Sequence, residues 1–374
     1  MIQNPSPKEF PLSEYEGLLK EHQPDWQALL NNVRGNGTPK RVHHMELFHD
    51  PEIRDAIAHR FHLMENIPEG DPDRERKKLI AVNRFCGFDH VSVNLVGIDM
   101  PMRHCSVQDT ADMARVGGRA YMEEHAGPIT TWEEFERYPW PNPLVPEAAR
   151  ELEWFSQNLP EDMCIVAHTG HFCEFLAWLM GYEALCYALH DQRDLVRAIA
   201  DRILELHQAE MDRFLSFDRV KLIWGSDDMG FKTGTLISPE HMREFVLQGH
   251  KKLADRAHEA GRLYLLHSCG RLDQIMGDLI DHVRIDAKHS FEDTIEDVRQ
   301  DKAGYGQRIA LLGGIDVDFL CRANEQAIRQ RVRETLDVCM LGGRYCLGSG
   351  NSVANYIPLD NYLAMIDEGR LYSN

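Results

Sequence analysis

The sequence predicts an α/β fold: a (β/α)8 barrel of the TIM type, with an N-terminal extension and an insertion after the second strand. Eight short apolar runs recur along the chain, and helical periodicity separates most of them. Polar and titratable residues gather at the carboxyl ends of those runs, the face on which such barrels place their sites.

Residues 1–40 are polar and contain prolines, which predicts an arm or short helices laid on the body. Residues 41–374 form the barrel domain. Its strands are expected at 41–47 (RVHHMEL), 90–95 (HVSVNL), 164–170 (CIVAHTG), 220–227 (VKLIWGSD), 263–269 (LYLLHSC), 284–290 (RIDAKHS), 309–316 (IALLGGID) and 344–350 (RYCLGSG). Between them, 241–261 shows apolar residues at helix spacing and ends on glycine, with Ser238 as N-cap and Pro239 in the first turn. Residues 325–343 end the same way. The stretch from about 96 to 163 is too long for one connection. It contains PITTWEEFERYPWPNP and predicts a lid or subdomain.

Composition narrows the function classes. Sixty acidic against 41 basic residues give a formal charge of −19, which repels polyanions and argues against nucleic acid as a partner. No run is apolar and long enough to span a membrane, and the N-terminus shows no secretory pattern. Nine scattered cysteines, an odd number in a large chain, read as reduced thiols and a cytoplasmic location.

The polar ring comprises Glu46, Asn94, His168, Asp227, Asp228, His267, Cys269, His289, Asp316 and Cys346. His267 and Cys269 alternate on one run, so both face one way, ~7 Å apart along a strand. Imidazole plus thiolate is a zinc preference, and a catalytic zinc needs three protein donors and an open position. Cys346, on the last run, is the first choice for the third donor; Asp227 or Asp228 is the alternative. Adjacent carboxylates point to opposite faces, so at most one of that pair faces the axis, as zinc ligand, partner of His267 or proton carrier. His168 and His171 end the third run and are candidate pocket residues, as are Glu46, Asn94 and His289. The segment 168–190 is rich in aromatics: Phe172 is a pocket candidate, whereas Phe175, Trp178 and Tyr182 fall at the spacing of a helix core stripe.

HSCG at a strand end, DDMGFKTGTLISPE upstream and the closing GGRYCLGSGNSVANYIPLDNYLAMIDEG together resemble the uroporphyrinogen decarboxylase superfamily, from about residue 40 onward. His267 and Cys269 match the histidine-x-cysteine of its zinc-dependent corrinoid methyltransferases. In relatives that act on coenzyme M, the last cysteine sits in a turn that here reads GSGNSV, which places Asn351 at that position. The resemblance implies zinc, a corrinoid (cobalamin) cofactor carried by a partner protein, and methyl transfer to or from a small methylated substrate, with Asp227, Asp228 and His168 as catalytic candidates. A homodimer is compatible with it. The aromatics after the third run favour a methyl ether, and hence an O-demethylase component. Two other readings stand beside it. One is a decarboxylase of tetrapyrrole metabolism, which would need a basic cleft, although the first 40 residues hold only Lys8, Lys20, Arg34 and Lys40. Its early aspartate is also missing, the nearest matches being Asn94 and Asp99. The other is a non-catalytic zinc- or corrinoid-binding module.

Overall fold

In a computed structural model, which describes residues 15–123 and 125–372, seven of the eight runs become strands of one parallel sheet. These are β1 (His90–Val93), β4 (Cys164–Thr169), β5 (Val220–Ser226), β8 (Leu263–His267), β9 (Ala287–His289), β10 (Ala310–Leu312) and β11 (Tyr345–Cys346), hydrogen-bonded in that order. The intervening labels belong to two small antiparallel pairs: β2 (His104–Val107) with β3 (Arg119–Met122), and β6 (Gly230–Phe231) with β7 (Gly234–Thr235).

The first run does not form a regular strand. It lies beside β11 through single parallel bridges, His44 to Leu347 and His49 to Val353, with Met45 N–H donating to the Leu347 carbonyl at 3.0 Å. It thus occupies the eighth position of the barrel. No ladder joins it to β1 among the described residues. That seam is tied lower down by Asp89, which accepts from His43 at 2.6 Å and from Arg41.

Strand periodicity separates two packing surfaces. Ile165, Ala167 and Ile223 pack outward with the helices, whereas Cys164, Val166, Leu222, Trp224, Leu263, Leu265, Ala310 and Leu312 form a second cluster inside the barrel. The predicted N-terminal arm has a more definite role than lying on the body. Helix Trp26–Arg34, capped by Asp25, sends Leu29, Leu30 and Val33 into that inner cluster and closes the amino-terminal end of the barrel. Residues 1–14 of the arm lie outside the described residues.

The insertion carries the β2–β3 ribbon and helix Trp132–Arg137, opened by a Thr131/Glu134 capping box. Its ribbon is strapped across the start of helix Pro51–Arg60: Arg115 pairs with Glu52 at 3.0 Å and Arg119 with Asp50 at 3.2 Å. The Ser238 cap is present, its hydroxyl accepting from His241 N–H at 3.2 Å.

Candidate metal centre and adjoining cavities

At the carboxyl end of the strands, one donor atom each from Asp228, His267 and Cys269 lies within 4.8 Å of the others. His267 Nε2 is 3.3 Å from Asp228 Oδ1 and 3.5 Å from Cys269 Sγ. Tetrahedral zinc with bonds of 2.0–2.3 Å requires donor separations of about 3.3–3.6 Å, and both separations from His267 fit the ion. β8 ends at His267, so Cys269 reaches the histidine from the loop rather than from the next strand position.

Backbone contacts between neighbouring loops hold the three together. Asp227 N–H donates to the His267 carbonyl at 3.0 Å, Met229 N–H to Ser268 Oγ at 3.0 Å, and Cys269 N–H to Asp228 Oδ1 at 2.8 Å. Two glycines permit this approach. Gly270 has φ +79°, and a Cβ there would lie 2.2 Å from the carbonyl carbon of Gly230; a Cβ on Gly230 would lie 2.7 Å from the Cys269 carbonyl oxygen. The glycines of HSCG and DDMG therefore dock against each other.

Each donor has a supporting contact. His267 Nδ1 meets His289 Nδ1 at 2.7 Å, which aims Nε2 at the cluster. Asn351 Nδ2 donates to Cys269 Sγ at 3.1 Å. Burial raises the Asp228 carboxyl, but the His267 hydrogen bond and charge and the Cys269 amide outweigh it and hold the pKa at about 2. Burial, then the Asp228 charge, pushes the Cys269 thiol well up, so a thiolate there calls for a cation.

The structure sorts the remaining candidates. Cys346 does not join the cluster. Its side chain is fully buried in the inner apolar cluster, with Asn32 of the closing helix donating to its sulfur at 3.5 Å, and Asp228 takes the place expected for it. Asp227 faces away, accepting from the amides of Cys173 and Glu174 (both 2.9 Å) and from His250 at 2.9 Å. It anchors the start of helix Cys173–Met180 and has no free oxygen for catalysis. Phe172 is likewise core, 1% exposed and edge-on to His207 and His250. Its neighbours Phe175 and Trp178, assigned to the core by their spacing, line a cavity instead. Tyr182 donates to the Leu236 carbonyl at 2.5 Å. Asp316 caps helix Val317–Arg322. His289 is wholly buried behind His267.

Two cavities adjoin, sharing Asn94 and His168. The larger, about 380 Å³, is walled by Phe175, Trp178 and His171 and roofed by Met100, Met102 and Met122 of the insertion. The smaller, about 280 Å³, opens at the seam between the first run and β1. His168 stacks on Trp224 at 5.4 Å and meets Ser92 Oγ at 3.1 Å; burial holds its pKa down at about 3, with His267 close enough to add to the shift. His171 pairs with Glu174 at 3.0 Å: burial lowers it, but Glu174 prevails and raises it. Glu46 turns both oxygens to Ser349, accepting from its N–H at 2.8 Å and its hydroxyl at 2.5 Å, and burial lifts its pKa to about 8. The sequence reading missed His90 and Ser92, although alternation in HVSVN puts them on one face with Asn94. No helix among the described residues is long and apolar enough to cross a membrane.

A parallel barrel with its polar cluster at the carboxyl ends defines the class. The profile of the uroporphyrinogen decarboxylase (URO-D) family matches residues 117–372, and the chain belongs to that family. It is 28% identical over 135 residues to a methylated-thiol–coenzyme M methyltransferase of Methanosarcina mazei; the match covers 36% of this chain and spans about a third of that relative, 34%. A solved methyltransferase from Methanosarcina mazei superposes with a TM-score of 0.64 at 17% identity, over 91% of this chain and 97% of the other, and shares the fold.

Proposed function

We propose that the protein is a zinc-dependent methyltransferase that moves a methyl group between a small methylated substrate and the corrinoid of a partner protein. The observation that carries this reading is the Asp228–His267–Cys269 cluster, three donors at zinc spacing at the barrel mouth. The partial similarity to a methylated-thiol–coenzyme M methyltransferase supports the same class. A zinc held there would supply Lewis-acid activation of a substrate oxygen or sulfur.

The chain's own residues do the rest. His289 and Asn351 fix the donors. Phe175, Trp178 and the insertion methionines enclose the apolar part of the substrate and exclude water, which favours a methyl ether. His171, whose pKa Glu174 raises against burial, is the proton donor in this reading to the oxygen that the methyl group leaves. In this reading the corrinoid is carried by a partner protein, as the resemblance to corrinoid methyltransferases implies.

The test mixes zinc-loaded protein with cob(I)alamin and, in turn, anisole, methanol and dimethyl sulfide, and follows conversion of the cobalt(I) band to methylcobalamin. Conversion with at least one donor is expected, and the ether-to-thioether preference ranks the substrates. No conversion in either direction, together with turnover of uroporphyrinogen, would overturn the reading in favour of the family's namesake chemistry.

A further inference from the structure

We propose that the seam cavity is a carboxylate-binding subsite anchored by Arg54, so that the methylated substrate is an organic acid. The word "methylated" rests on the function proposed above; the subsite does not.

Arg54 lines the cavity, half-buried, and among the described residues its guanidinium makes no hydrogen bond or ion pair. In a chain with 60 carboxylates this is a conspicuous vacancy in charge pairing, because a partly desolvated guanidinium is costly without an anion. Two buried polar groups on the same wall also lack partners. His90 is 1% exposed with Nδ1 unbonded, and Asn83 is 5% exposed with Oδ1 unbonded while its Nδ2 donates to the His90 carbonyl at 3.0 Å. Buried groups of this kind are normally satisfied.

The cavity's charge selects the ligand. Burial keeps His49, His90 and His168 neutral at pH 7, leaving Arg54 the single cation among the described residues that line the cavity. The one carboxyl among the described lining residues, Glu46, spends both oxygens on Ser349 and is held largely protonated by burial, so it does not repel an anion. One guanidinium matches one carboxylate in a bidentate fork, whereas a phosphate dianion would need more positive charge. Asn94 and His168 border both cavities, so an acid bound at Arg54 extends past them into the aromatic cavity.

Calorimetry on the full chain at pH 7, without corrinoid, tests this with 4-methoxybenzoate, anisole and inorganic phosphate as probes. The acid should bind at least about tenfold more tightly than anisole and phosphate. Arg54→Gln should remove that advantage while leaving anisole unchanged, and Arg54→Lys should restore part of it. Thermal melts show that each variant is folded. Equal binding of acid and anisole, tighter binding of phosphate, no binding of the acid, or wild-type acid affinity in Arg54→Gln would each overturn the proposal. No methyl transfer is read, so a protein that binds the acid but never methylates cobalamin would keep this subsite and lose the function proposed above.

Discussion

Cys269 ends its apolar run whereas Cys346 is the third residue of the run 344–350, and the two inhabit opposite halves of the barrel. Cys269 stands at the mouth, with the His267 imidazole at 3.5 Å and the Asn351 amide at 3.1 Å. Cys346 stands in the packed interior with Leu312, Leu29 and Leu30, under the helix that closes the other end. Barrel stagger makes the difference: β11 is short, and its Cys346 registers with Leu312, so the chain reaches the mouth only some residues later, at Ser349 and Asn351. A thiol early in a run lies deep in the barrel, and only the residues at the run's end reach the mouth.

The sharpest way to break this contrast is to remove each thiol. Cys269→Ala should weaken zinc binding at least about 100-fold, seen as loss of metal after dialysis against a weak chelator. Cys346→Ala should keep about one zinc per chain and cost only about 1 kcal/mol of stability by leaving a small void in the core. Equal metal loss in both variants would refute the assignment of Asp228 over Cys346.

A second perturbation acts on the backbone of the mouth alone. Gly270→Ala places a Cβ 2.2 Å from Gly230 at φ +79°. It should cost about 3 kcal/mol in chemical denaturation and spread Asp228 from Cys269, lowering zinc affinity as well. A mouth that tolerates alanine there would mean that the two loops do not fix the donors.

A third effect is a pH dependence that the apolar half lacks. Glu46 is raised by burial to about 8 in the folded protein, against a carboxyl value near 4.3 when unfolded. The unfolded chain therefore releases this proton first. The stabilising contribution is complete below about pH 4, declines as pH rises, and is gone above about pH 8. Glu46→Gln should flatten the wild-type loss of stability between pH 5 and 8, by up to about 3.5 kcal/mol, in denaturant melts across that range. A profile unchanged by the substitution would mean that Glu46 is solvated.

Much of the fold was legible because strand and helix periods are local. The seven sheet strands fall within the apolar runs, and the Ser238 cap could be read from three residues. The first run misled because its apolar alternation supports only isolated bridges, and the closing role of helix Trp26–Arg34 was invisible because most of its partners lie more than 100 residues away. His267 and Cys269 were legible as a pair; Phe172 was not separable from Phe175 and Trp178, since helix spacing gives relative faces but not which face meets a cavity.

By itself, then, the sequence determined the alternation of elements, the strongly acidic surface and the soft donors at HSC, all consequences of residue type and short-range spacing. Only the tertiary structure decided which of Asp227 and Asp228 faces the donors, which cysteine reaches the mouth, and that Arg54, Asn83 and His90 share one cavity. Those outcomes depend on barrel stagger, on two glycines that let loops touch, and on an eighth position held by bridges rather than a ladder. Each is set by contacts between residues far apart in the chain, where no local period carries information.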